Sequence, residues 1–184
     1  HTFTGLTPTT AYYFTIIAKG SGEYCNSEET SPRESYTTLP QYTVTWKPNG
    51  GNWSGSTADK VDTYDYQAEI TIPADPERKG YTFNGWNTTP ATIMPAENLT
   101  YTAQWNIVTY TITYENLNGA THTNPEEYTV ETAAITLTDP TERAGYVFAG
   151  WYSDANYTTK VTQIPQGSTG YITLYAKWLE IFTI

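Results

Sequence analysis

The sequence is short of nearly everything that catalysis and metal binding use. Among its 184 residues there are one cysteine, two histidines and one methionine. A lone cysteine, Cys25, excludes an internal disulfide and a thiolate metal cluster. It reads as a small half-buried residue, the sharper alternative being a bridge to a cysteine upstream of His1. Positive charge is also scarce, with 9 Lys+Arg against 19 Asp+Glu and a net charge of −10. Without a basic patch to neutralise phosphates, no nucleic-acid partner is expected, and an anionic membrane surface is disfavoured for the same reason. No apolar run approaches the ~18 residues that a span requires, so no membrane insertion is expected either. The chain opens at His1 without a Met or a signal-peptide pattern, which reads as a piece of a longer polypeptide.

What the sequence does hold is aromatic and β-forming. It has 17 Tyr and 6 Trp, set among many threonines, and this mixture favours strands over helices. Only Ser56–Asp65 and Pro76–Gly80 could hold a helical turn, and neither has a 3.6-residue apolar period.

Four blocks recur in the same order. "YTVTW" (42–46) matches "YTITY" (110–114), and "NGG" (49–51) matches "NGA" (118–120). "DPERKGYTFNGW" (75–86) matches "DPTERAGYVFAGW" (139–151), and "LTYTAQW" (99–105) matches "ITLYAKW" (172–178). Such self-similarity marks a repeated module. Within the blocks apolar residues alternate: Tyr42, Val44 and Trp46 share one face, as do Tyr110, Ile112 and Tyr114. Asn49-Gly50 and Asn118-Gly119 suit a turn with positive φ after the first strand. "VDTYDYQAEI" and "EEYTVETAAI" read as the returning strands. In "GYTFNGW" and "GYVFAGW" the first glycine opens a strand after a turn, and Gly85 leaves room beside Trp86 for a close approach or a bulge. Neither block contains a Ser, Cys or His to do chemistry. The repeated tryptophans are a packing rule, since a small module gains most from one large aromatic.

These motifs resemble the Listeria–Bacteroides repeat, the family of the internalin B-repeat, over residues 42–105 and 110–178. The resemblance implies a mainly β fold of tandem small β-grasp-like, ubiquitin-like modules with little helix. It also implies a secreted or surface-attached bacterial protein with stalk, adhesion or accessory roles and no catalysis. The second copy departs from the pattern at Leu117 and Ala120 and in one extra residue between Pro140 and Gly145, which leaves its first turn the less certain. Residues 1–40 resemble instead the second half of a fibronectin type III domain, a partial Ig-like sandwich. Leu6, Pro8 and Tyr12 fit the turn into its sixth strand, and Tyr12 fits the corner tyrosine whose hydroxyl bonds back to nearby backbone. Tyr12, Phe14, Ile16 and Ala18 would face inward, with "ESYTTLP" as the last strand. The expected organisation is thus 1–40, 41–106, 107–178 and a tail, 179–184, that resembles the opening strand of a following module. Short linkers predict a stiff, elongated rod.

Little chemistry competes with this. His122 lies in a turn-like stretch and reads as a solvent-facing loop histidine, far in sequence from Cys25. Asp59, Asp62 and Asp65 are spaced by three with no glycine among them, unlike a calcium loop, and read as a solvated acidic face. Glu126 and Glu127 read alike. Phosphate-loop glycines are absent, and no cofactor or metal is expected. The four N-x-S/T sequons, at Asn52, Asn87, Asn98 and Asn156, carry no weight in a Thr-rich chain. Trp53 alone breaks the repeat: it stands among Gly, Ser and Asn without alternating partners. It packs back on the Trp46 face or on a neighbouring module, or with Asn49 and Asn52 it contacts a ligand, an exposed aromatic being suited to stack on a sugar. The leading reading is a non-enzymatic spacer and adhesion-type interaction module of a bacterial surface or secreted protein. Alternatives are a carbohydrate-binding module, an accessory region of a surface hydrolase, and a self-associating module that pairs through exposed edges. Partners would be a host or bacterial surface protein, a glycan, or neighbouring domains of the same polypeptide.

Overall fold

Threonine alternating with aromatic and branched residues fits a pleated surface with one dry face, and the blocks that carry this pattern are strands. The computed structural model describes residues 4–14 and 34–182. Among these there is no helix. The strands are β1 (Ala11–Phe14), β2 (Glu34–Thr37), β3 (Gln41–Lys47), β4 (Lys60–Asp65), β5 (Tyr81–Trp86), β6 (Leu99–Ile107) and β7 (Tyr110–Glu115). They continue as β8 (Glu127–Tyr128), β9 (Ile135–Thr136), β10 (Tyr146–Tyr152), β11 (Lys160–Val161), β12 (Gln163–Ile164) and β13 (Ile172–Glu180).

The two sequence copies build the same sheet. In the first the order is β4-β3-β6-β5; in the second it is β8-β7-β13-β10, extended by β11. The first and last strands of each copy, β3 with β6 and β7 with β13, lie side by side and parallel. Parallel neighbours need a long crossover, and here the intervening strands, irregular chain and turns supply it where a helix is usual. A separate pair, β12-β9, belongs to the second copy.

The described chain gathers into two compact units. The first takes in residues up to 47, 58–74 and 86–102; the second takes in 48–57, 75–85 and 103 onward. Val44, Trp46, Ile70, Met94 and Tyr101 form the core of the first. The Trp46 ring lies 4.8 Å from Tyr101, stacked, and 5.0 Å from Trp86. The first unit also holds the hairpin of β1 and β2, paired from Ala11 with Thr37 to Phe14 with Glu34. There the Tyr12 hydroxyl accepts a hydrogen bond from the Thr7 amide at 2.8 Å. Hydrogen bonding to Thr7 lowers the Tyr12 pKa. Ile16, Ala18 and Cys25 lie outside the described residues. In the second unit the core is Ile112, Tyr128, Ile135, Trp151, Ile164, Leu174 and Ala176.

Of the two stretches that could hold a helical turn neither does, and both returning strands are shorter than expected. From Lys60, Ser56–Asp65 is β4, the start of the returning strand expected over 61–70, with Val61, Thr63 and Asp65 paired antiparallel with β3. Pro76–Gly80 holds none either: the Tyr81 amide closes a turn on the Arg78 carbonyl at 3.1 Å, with Gly80 at φ 77°. Nor is 126–135 one returning strand. Against β7 it pairs only at Glu127 and Tyr128 and then turns, Thr132 N bonding Thr129 O at 3.1 Å, before Ile135 enters β9 and pairs with Ile164. The Thr129 and Thr132 hydroxyls also bond within that turn, which ends the extended run.

The turn after the first strand forms alike in both copies. Gly51 N bonds Pro48 O at 2.9 Å, and Ala120 N bonds Leu117 O at 3.1 Å. Asn49 and Gly50, like Asn118 and Gly119, have positive φ. The tryptophan ending each last strand reaches this region: Trp105 Nε1 donates to Asn49 O at 3.0 Å, and Trp178 Nε1 donates to Asn116 O at 2.9 Å. Gly51 is the tight point of the first copy's turn, since a Cβ there would stand 2.4 Å from the Trp105 ring and 2.9 Å from the Glu77 carbonyl.

Gly51→Ala should therefore destabilise the protein by about 1–3 kcal/mol through overpacking, read as a lower urea midpoint; an unchanged midpoint would contradict the packing. Trp178→Phe keeps most of the ring and loses the hydrogen bond. It should cost about 1 kcal/mol by the same assay, with more rapid amide exchange around Asn116.

Candidate functional site

The residues expected to contact a ligand sit on one turn, and the structure already occupies most of their polar groups. The Asn49 amide donates to Ala103 O at 2.9 Å. Asn52 exchanges backbone hydrogen bonds with Glu77 at 2.8 and 2.9 Å. Its side chain donates to Glu77 O at 3.0 Å and accepts from Gly55 N at 2.8 Å. Trp53 pairs with Ser56 across a tight turn, Trp53 N to Ser56 O at 2.7 Å and Ser56 N to Trp53 O at 3.0 Å. The Trp53 side chain is half-buried, and its indole nitrogen is shielded from solvent. What this turn can offer a ligand is part of one aromatic face, flanked by amides that hold the turn.

His122 corrects the expectation of a solvent-facing loop residue. It is half-buried, its ring 4.0 Å from that of Tyr114 and 6.2 Å from that of Trp151. Its Nδ1 is buried without a hydrogen-bond partner, so no carboxylate orients it as a base would require. The segment is drawn inward by Asn124, 6% exposed. The Asn124 amide donates to Thr138 O at 2.9 Å and accepts from Thr138 N at 2.7 Å. Burial, aided by Glu126, pushes the neighbouring Tyr114 phenol up to about 12. That phenol donates to Pro125 O at 2.8 Å and stays protonated at ordinary pH.

Asp59 and Asp65 are exposed, as a solvated acidic face would be, and Asp62 is half-buried. No group of three or more His, Cys, Asp or Glu among the described residues could hold a metal ion, and Asp59, Asp62 and Asp65 do not converge. Asp154 is held below the usual carboxylate range by the amides of Thr158 and Thr159 and, more weakly, of Asn156. This is an anion used to close a loop.

One repeated arrangement went unread in the sequence. The Arg78 guanidinium lies 3.8 Å above the Tyr81 ring, and that of Arg143 lies 3.7 Å above Tyr146. The signal was present as R-x-G-Y in both copies: a turn with glycine at its third position brings residues three apart face to face. Beside each stack is an open cleft. The one near Tyr81 and Trp105 measures about 480 Å³, and the one near Tyr146 and Trp178 about 630 Å³. Both are cation-and-aromatic surfaces without a nucleophile.

The Listeria-Bacteroides repeat domain matches at residues 42–105 and 110–177. A protein of Evansella cellulosilytica named as a membrane protein is 34% identical over 145 residues, covering 74% of this chain and 21% of its own length. A second from that organism, named as a Gly-rich membrane protein, is 34% identical over 153 residues, covering 78% and 17%. Internalin H of Listeria monocytogenes is 32% identical over 124 residues, covering 60% and 21%. The chain thus spans about a fifth of the length of these relatives. No solved structure gives a significant match. With two consecutive copies of the pattern accounting for most of its length, the chain belongs to the Listeria-Bacteroides repeat domain family.

Proposed function

We propose that this chain is a non-enzymatic spacer and adhesion-type interaction module of a bacterial cell-surface or secreted protein. The observation that carries the reading is the structural use of the repeated residues. In both copies the terminal tryptophan closes the region of the first turn, and the arginine stacks on the tyrosine. What selection has repeated here is a way to build a stable module. The names of the relatives support a place at the cell envelope, and their greater length supports a role within a larger polypeptide. The sheet order, with parallel first and last strands at its centre, supports the β-grasp-like outline of each copy. The Tyr12–Thr7 bond supports a fibronectin-type edge at the N-terminus. The second reading, a carbohydrate-binding module, rests on Trp53, whose polar neighbours hold it in a fixed turn.

A broad glycan array probed with this chain and its Trp53→Ala variant separates the two. The spacer reading expects a silent array for both proteins and a monomeric mass by light scattering across a concentration series. A glycan hit lost in Trp53→Ala would replace it with the carbohydrate reading and place the site on the 49–56 turn.

A further inference from the structure

Within the second unit, the glycine that opens "GYTFNGW" is covered. Gly80 is buried, and a Cβ on it would fall 2.4 Å from the Val130 side chain. The Tyr81 hydroxyl bonds the Glu131 carboxylate, and Lys79 Nζ donates to Gly167 O at 2.8 Å. Val108 N donates to Gly80 O at 3.0 Å, which leads the chain past this glycine into the second copy. The face of the first copy around Gly80 is therefore a seat for the 129–132 turn of the copy that follows it.

The second copy has the same seat, and it is empty. Gly145 has φ 80°, as Gly80 has 77°, and Arg143 and Tyr146 stack like Arg78 and Tyr81. The Ile181 amide donates to Gly145 O at 2.8 Å, repeating the Val108–Gly80 bond. Yet Gly145 is exposed, with no atom within 4 Å of where a Cβ would stand. The cleft beside it includes Gly145, Val147 and Ile181 in its lining; the cleft of the first copy stops short of Gly80, Thr82 and Val108. The surroundings are apolar: Val147 is 53% exposed, Leu179 53%, Ile181 52% and Phe182 81%. The sequence repeats here as well. "YTV" opens the first copy at 42–44, "YTI" opens the second at 110–112, and "FTI" stands at 182–184.

We infer that the Gly145–Tyr146 face is the docking site for the turn equivalent to 129–132 in a further repeat that continues the same polypeptide. A branched aliphatic side chain of that turn covers Gly145, as Val130 covers Gly80, and an acidic residue after it accepts from the Tyr146 phenol. Ala144 stands where the first copy has Lys79, so the Lys79–Gly167 contact has no counterpart. Val147 and Leu179, in place of Thr82 and Asn106, make this seat the more apolar of the two. Tethering supplies the turn at high effective concentration, so a modest face suffices. The occupant is specific in kind: the equivalent turn of the first copy carries Tyr66 and Gln67, neither the aliphatic nor the acid the seat takes. The inference rests on the reading of the chain as a tandem module, and it fails separately from that reading, since a silent or positive glycan array leaves it untouched.

The test replaces residues 181–184 with a second copy of residues 108–178, so that Val108 of the added copy takes the place of Ile181. Amide exchange of peptides spanning 143–149 and 178–180 is then followed by mass spectrometry. Docking predicts exchange slower by about tenfold or more than in the unextended chain, because opening must now undock the turn. It also predicts loss of that protection when the counterpart of Val130 in the added copy is changed to Asp, while the core peptides of that copy keep theirs. Unchanged exchange at 143–149 in an added copy whose core is protected would overturn the inference, as would protection that survives the Asp change. Protection that rises with the concentration of the unextended chain would overturn it in favour of a second molecule.

Discussion

The structure of each copy turns on one hydrogen bond between its last strand and its first turn. A parallel pair of strands from opposite ends of a small module must be held in register with no hairpin to do so. The terminal tryptophan supplies the hold. Trp105 and Trp178 each lay a large ring over the sheet and direct the indole N–H at carbonyls of the chain leaving the first strand. Phe83 and Phe148 meet these rings edge-on, at 5.7 and 5.4 Å. Thus the G-Y-x-F-x-G-W and A-x-W blocks, sixteen or more residues apart in sequence, form one aromatic layer. In the first copy the tryptophan meets carbonyls of the Asn-Gly turn itself, and in the second the carbonyl of Asn116 just before that turn.

The glycines divide by task rather than by block. Gly80 and Gly145 adopt positive φ to complete the turn that puts arginine over tyrosine. Gly150 marks a slip in the pairing of β10 with β13, where the register moves between Phe148 and Gly150, and the Lys160 side chain passes through the space a Cβ would fill. Gly85 has positive φ but open space around it. The close backbone approach expected at Gly85 is therefore not seen there, and a break in strand register appears instead at its counterpart Gly150.

Much of the fold was legible because its signals are local. Alternation marked the strands at 42–46, 81–86 and 99–105, and the Asn-Gly pairs marked turns by conformation alone. What was not legible depended on distant partners. His122 looked like a loop residue until Tyr114 and Trp151 closed against it. The 126–135 stretch looked like a strand until threonine hydroxyls folded it at 129–132. Trp53 looked isolated because its partner, Ser56, is paired through backbone and leaves no side-chain pattern. The candidate site was the least legible part: the amides of Asn49 and Asn52 are engaged by Ala103 and Glu77, residues that nothing in the turn sequence announces.

The pairing of Gly51 with Trp105 has a consequence for folding fidelity. Neighbouring modules that share a strand order risk exchanging equivalent strands as they fold, a characteristic failure of repeat proteins. Where the first copy has Gly51 beneath the Trp105 ring, the second has Ala120, 8% exposed. A last strand seated with the Trp105 geometry on the turn of the second copy would drive its ring into that methyl group. One carbon atom thereby disfavours closing the first copy's terminal strand on the second copy's turn.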